Sequence, residues 1–280
     1  MWLLFVFIFI IFAIAFNQFF KVAIKSTKKD GALTVLMQSL AGICALILMP
    51  FFKFKLPTDY KIYLFLGLAC IFYAISDRMN TTVRRGVEAS TYSIIKQLST
   101  VFMIIAGLLF FKEPFVWKKI IGAILIIFSN IFVFYEKGKQ KLNKYVLLGI
   151  LSCLVFSIAL FLDVNISDNF NLAFYVALTL LVPALLLTIF GRIKFTDIKN
   201  ELQHGNKKVI FITSFSWAIT LIAGLRAYQL GKVTLVAPLR SLTVIGNVIV
   251  GYFFLNEKDN LLKKVIAAIM IVISVFLIKG

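Results

Sequence analysis

Apolar residues fill this chain in long runs, broken at short intervals by a few charged and turn-forming positions. A helix crossing the hydrocarbon core needs about 20 mostly apolar residues, at about 1.5 Å of rise each. Ten runs approach that length: 2–20, 31–52, 60–77, 88–111, 119–135, 145–162, 170–190, 208–226, 233–255 and 264–279. The breaks hold charge, glycine and proline, as in Lys28-Lys29-Asp30-Gly31, Lys53 to Asp59 with Pro57, Lys112-Glu113-Pro114, Glu136 to Lys144, Gly191 to Lys207 and Asn256 to Lys264. No stretch sustains period-two alternation, which argues against a transmembrane barrel. No connector is long enough for a separate soluble domain. Ala13-Ile14-Ala15 resembles a signal-peptide cleavage site, but no basic segment precedes the apolar run, so Met1 to Phe16 reads as the start of the first span. The pattern predicts an all-α integral membrane protein with ten transmembrane helices.

The runs repeat. Ser90 to Leu98 lies on Thr234 to Leu242 at a shift of 144, which sets Lys96 on Arg240. The same shift sets Gly107 on Gly251, Phe110 on Phe254 and Glu113 on Glu257, and one residue later Lys118-Lys119 falls on Lys263-Lys264. Apolar helices match by chance in Leu and Ile, but rarely in a cation, a glycine, a connector acid and a basic pair in order. The expected division is 1–140 and 141–280, five spans in each half. An odd number of spans makes the second half enter the membrane in the opposite sense. The expected fold is therefore two five-helix inverted-topology repeats, with a substrate site between them near the midplane.

In these residues the chain resembles the drug/metabolite transporter superfamily, EamA type. Gly107 to Glu113 with Ile121-Gly122-Ala123, and Gly251 to Glu257 with Ala267-Ala268, carry the likeness over both halves. The resemblance implies a ten-helix transporter in a bacterial or archaeal plasma membrane, with a central cavity and cytoplasmic termini. The second half carries Ala237-Pro238, where the first has Ser93-Ile94, so the sequence expects a helix break there in the second half and leaves it open in the first. Charge bias disagrees with the implied orientation. The connectors on one face hold 19 Lys and Arg, and those on the face shared with the termini hold 9. By the positive-inside tendency, that count sets the termini outside, and the orientation stays open.

Composition supports the membrane reading: 61% of residues are hydrophobic and 15% charged, where a soluble domain runs about 45–50% and about 25%. A soluble enzyme, a disordered chain, a coiled coil and a disulfide scaffold are excluded. The net charge of +18 sits mainly in connectors, so it reports topology and an anionic substrate rather than nucleic acid. Cys44, Cys70 and Cys153 each lie alone in apolar runs, as buried thiols do. His204 lies in the longest connector and reads as solvated.

Two cations fall within spans. Lys96 lies about 12 Å into span four and Arg240 about 11 Å into span nine, from opposite faces. An intramembrane charge is costly and marks function by default. With Asp77, Glu88 and Asp163 expected at span ends, no carboxylate is expected deep enough to neutralise them. Lys96 and Arg240 are therefore expected to face a wet cavity and clamp a carboxylate or phosphate. Basic residues on the fourth and ninth spans are similarly used by the phosphate-sugar carriers of the superfamily. The bland alternative is snorkelling, or pairing with Asp77, Glu88 or Asp163. Tyr92, Ser93, Ser99, Thr243 and Asn247 share helix faces with the two cations and are candidate lining. Asn17 and Gln18 form a polar pair near the end of span one, with an interfacial position as the alternative to lining, and Asn17 joins the candidate substrate-binding set. Asp77 with Arg78, and Arg226 with Tyr228, are candidate gates, with headgroup anchoring as the alternative. Glu113 and Glu257 are expected to cap or bridge helix ends.

The chain holds no HExxH, GxSxG, P-loop or GxGxxG pattern, so no enzyme, metal or cofactor is expected. The leading function is a secondary transporter moving a small anionic or zwitterionic metabolite by alternating access. A flippase for a lipid-linked headgroup and an exporter of cationic drugs are the alternatives. The expected partners are the substrate and membrane lipid, with the oligomeric state open.

Overall fold

A computed structural model describes residues 1–25, 27, 29–110, 116–136, 139–140 and 144–279. These residues are helical almost throughout: α1 (Trp2–Lys25), α2 (Asp30–Ile47), α3 (Tyr60–Gly86), α4 (Ala89–Lys96), α5 (Leu98–Leu109), α6 (Trp117–Phe134), α7 (Lys144–Ile166), α8 (Leu172–Phe190), α9 (Phe195–His204), α10 (Lys207–Leu230), α11 (Val233–Arg240), α12 (Thr243–Leu255) and α13 (Leu261–Lys279). Among the described residues, eight candidate spans are long and apolar enough to cross a membrane, counting α4 with α5 and α11 with α12 as one each. The expected fifth span corresponds to α6, whose apolar stretch is the shorter Ile120–Val133. The expected tenth corresponds to α13.

The helix starts are chemical. Asp59 accepts from the Lys61 N–H (2.9 Å), Asn171 from the Phe174 N–H (3.0 Å) and Asn206 from the Val209 N–H (3.3 Å), satisfying donors that a first helical turn leaves bare. In α1, Val6, Phe9 and Ala13 recur at helical spacing on the buried face, while Leu4, Phe7 and Ile11 face outward, as lipid-facing residues do. Small residues bring helices close. A Cβ on Gly42 of α2 would meet Leu181 Cγ of α8 at 2.6 Å, so the two backbones approach where no larger residue fits.

The packing respects the repeat. α1 packs on α10 and α3 on α7; α1 also packs on α12, and α7 on α5; α2 packs on α8, and α6 on α13. Exchanging the halves turns the first contact of each unlike pair into the second, and maps the last two onto themselves. Every such contact joins one half to the other.

One expected boundary is corrected. The third span does not stop at Asp77, because α3 continues to Gly86 through the polar stretch 77–85. The longest connector is partly ordered as α9, which leaves His204 exposed. All three cysteines are buried and free.

Candidate functional site

The expected fourth span is interrupted one residue after Lys96, where α4 ends, and the expected ninth one residue after Arg240, where α11 ends. At Gln97 the chain tightens by one residue: its N–H bonds Ile94 O (3.0 Å) and Gln97 O receives Thr100 N–H (2.9 Å). At Ser241 the same happens, N–H to Pro238 O (2.9 Å) and O from Val244 N–H (3.0 Å). These bonds superpose at the repeat shift of 144. Each tightening releases the carbonyl four residues back, and a freed buried carbonyl is costly in a membrane. The chain satisfies it with the side chain at the break. Gln97 Nε2 donates to Ser93 O (2.9 Å), and Ser241 Oγ donates to Ala237 O (3.5 Å). The two interruptions meet through Thr100 Oγ1 and Ser241 Oγ, 3.0 Å apart. Both spans therefore break, and the first does so without a proline.

A pocket of about 160 Å³ lies where the breaks meet, lined from α1, α3, α4, α5, α7, α10, α11 and α12. That volume is about ten times what one water needs. Lys96 and Arg240 both line it. The Lys96 ammonium sits 3.7 Å from the Phe156 ring centroid, and the Arg240 guanidinium 3.9 Å from Phe9 and 4.8 Å from Tyr228. Gly224 makes room for Arg240: a Cβ there would meet Nη2 at 3.2 Å. Lys96 Nζ and Arg240 Nη1 are buried and have no acceptor among the described residues. Pairing with Asp77, Glu88 or Asp163 is not seen for either.

Of the other residues singled out in the sequence, Tyr92, Ser93, Ser99, Thr243 and Asn17 line the pocket, as do Asp77 and Tyr228. Ser99 and Thr243 donate back across the breaks, to Lys96 O (2.6 Å) and Arg240 O (2.9 Å), the last residues of α4 and α11. Asn247 stands behind the wall instead. It is fully buried, donates to Ser93 Oγ (3.0 Å) and accepts from Gln18 Nε2 (3.1 Å). Arg78 and Arg226 are not in the lining. Arg78 donates to Thr82 Oγ1 (2.8 Å) and Arg226 to Gln229 Oε1 (3.0 Å), each within one helical turn.

The expected absence of deep carboxylates is overturned for Asp77, whereas Asp163 does lie near a span end, three residues before α7 stops, yet is shut inside the protein. Asp77 lies well inside α3 and accepts from Gln38 Nε2 (2.7 Å). Asp163 is buried at 2% exposure and accepts from the hydroxyls of Tyr175 (2.5 Å) and Tyr73. Both carboxylates find neutral donors on neighbouring helices, which apolar periodicity does not reveal.

The largest omission from the sequence reading is Arg84, assigned there to a connector. It is 4% exposed and lines the pocket. Its guanidinium lies 3.9 Å from the Tyr92 ring centroid, 4.7 Å from Phe20 and 4.9 Å from Phe16, and Nη2 donates to Asn17 Oδ1 (2.7 Å). The available signal was spacing: Asp77, Asn80, Thr81 and Arg84 recur at helical intervals, and all four line the pocket.

At one end the halves are pinned around the start of α4. Glu257, from the second half, accepts from the N–H groups of Ala89 (2.7 Å) and Ser90 (3.0 Å) and from Ser90 Oγ (2.5 Å). Gly251 permits this, since a Cβ there would meet Glu257 Oε2 at 2.8 Å. Lys264 pairs with Glu88. Lys21 Nζ donates to the carbonyls of Arg84 (2.6 Å) and Val87 (2.5 Å), closing the C-terminus of α3. The capping expected of Glu257 is thus present; Glu113 lies outside the described residues.

Comparison with known proteins agrees with this architecture. No protein of curated function matches the sequence. A protein of known crystal structure superposes with a TM-score of 0.61 at 12% identity, over 98% of this chain and 94% of that one, a likeness of fold. The sequence profile of the EamA-like transporter family matches residues 1–135 and again 143–280. Matched twice over nearly its whole length, this multi-pass membrane chain belongs to the EamA-like transporter family.

Proposed function

We propose that the protein is a secondary transporter for a small anionic or zwitterionic metabolite, working by alternating access in the cell membrane. Ten spans in two inverted five-helix halves would rock around the pocket, with α6 and α13 as the fifth and tenth. The observation that carries this reading is the pair of repeat-related cations, Lys96 and Arg240. They come from opposite halves into one pocket, each with a buried donor that no described residue accepts. A buried donor without a partner loses its hydration for nothing in return, so an acceptor group on a ligand is the favourable occupant. The aromatic lining supports an anion over a cationic drug. Phe9, Tyr228, Phe156 and Tyr92 each already hold one of the protein's own cations, so a positive ligand at these rings would meet like charge.

The test is a thermal-unfolding screen of the purified protein against carboxylated and phosphorylated metabolites and cationic dyes, because a ligand of the folded state must stabilise it. Stabilisation by anions that Lys96→Ala and Arg240→Ala each abolish supports the reading. Stabilisation by dyes alone, or anion binding that both variants retain, overturns it.

A further inference from the structure

Arg84 changes what the pocket selects. Three positive groups, Lys96, Arg240 and Arg84, line a space that holds one carboxylate, Asp77. Two positive charges are therefore uncompensated within the lining. All three cations keep one buried atom without an acceptor among the described residues: Nζ of Lys96 and Nη1 of both arginines. The two arginines are not equally free to move. Arg84 is held against three rings and by Asn17, and the carbonyl of its own residue is fixed by Lys21. A guanidinium locked in this way presents its remaining N–H groups with little rotamer entropy left to lose.

We propose that Arg84 is a third ligand-binding residue and that the pocket selects a single small dianion. This rests on the reading of the pocket as an anion site. A monoanion leaves one charge uncompensated away from bulk water, whereas a dianion balances the site. Two monoanions are not an equivalent solution, because each would lose its own translational and rotational freedom, whereas a dianion brings both charges in one binding event. The two negative charges can sit on one group, as in phosphate, or on two, as in a dicarboxylate. In either case Arg84 and Lys96 contact it from the first half and Arg240 from the second.

The experiment measures the thermal unfolding midpoint of the purified full chain against sodium acetate, sodium succinate and inorganic phosphate. Ionic strength is held equal, at a pH where phosphate is mostly dianionic. The expected result is half-maximal stabilisation by succinate or phosphate at a concentration at least about tenfold below that for acetate; which of the two acts tells whether the charges sit on two groups or one. In Arg84→Gln that preference falls at least about tenfold. Acetate acting as well as both dianions, or Arg84→Gln keeping the full preference, overturns the proposal and leaves the anion reading standing. No response to any of the three anions in the wild-type protein overturns both. Should Arg84→Gln fail to fold, Asp77→Asn tests the charge balance from the other side. It removes the negative member and must tighten the dianion by at least about threefold, and no tightening overturns the proposal.

Discussion

The two interrupted helices have the same shape and different chemistry. α4 and α5 turn at Gln97, α11 and α12 at Ser241 and Leu242, and the two backbone bonds that tighten each turn superpose at the repeat shift. The second helix has Pro238 three residues before its turn; the first has Ile94 in that place. If proline caused the break, only one helix would have it. Both breaks instead share a cation just before the turn and a polar side chain at it, reaching the carbonyl that its own N–H has left. The repeat thus conserves a division of labour between backbone and side chain, more than it conserves residues.

The strongest way to break this comparison is to remove the cations. Arg240→Ala and Lys96→Ala are each expected to weaken anion binding by at least about 30-fold, since truncating one partner of a buried charged contact costs about 2 kcal/mol or more. A titration followed by unfolding midpoint measures it, and an unequal loss would show that one half dominates the site. Next comes the cap on α4. Glu257→Ala leaves two buried N–H groups bare and is expected to cost about 2 kcal/mol of stability, seen as a lower unfolding midpoint. Gln97→Ala then frees Ser93 O and is expected to cost about 1 kcal/mol. Ser241→Ala releases a longer, weaker bond to Ala237 O and is expected to cost about half as much. Reversal of that order would mean that the Thr100–Ser241 contact is worth more than the difference between the two carbonyl bonds. The smallest effect belongs to Pro238→Ala. A proline that interrupted an otherwise continuous helix would cost it about 3 kcal/mol, and alanine would restore that amount. Here the turn is held by Ser241, so the change is expected to stay within about 1 kcal/mol, and a large gain in midpoint would restore proline as the cause.

Much of this was legible in the sequence, for reasons that also mark where legibility ends. Lys96 and Arg240 were found because an intramembrane cation is rare and a repeated one rarer. Tyr92, Ser93, Ser99 and Thr243 followed from helical spacing around them. Arg84 was missed and Asp77 was set at a span end through the rule that found the spans, because a run of polar residues reads as the end of a membrane helix. In α3 that run is about two further turns of helix, and Asp77, Asn80, Thr81 and Arg84 turn toward the pocket rather than lipid. The same rule set Asp163 at a boundary, where two tyrosines from other helices make burial tolerable. Asn247 shared the right helix face but stands behind the wall. Its depth is decided by Gln18 and Ser93, which lie far from it in sequence.

The cap on α4 has a consequence for the order in which the chain is made. Ala89 and Ser90 leave the ribosome early, and the carboxylate that receives their N–H groups follows 167 to 168 residues later. Lys264, which pairs with Glu88 beside them, comes later still. Through most of synthesis the start of the fourth helix has no permanent acceptor, and the first half cannot complete its own helix. A helix that enters the bilayer among the first is among the last to settle, and it settles only when the second half arrives to hold it.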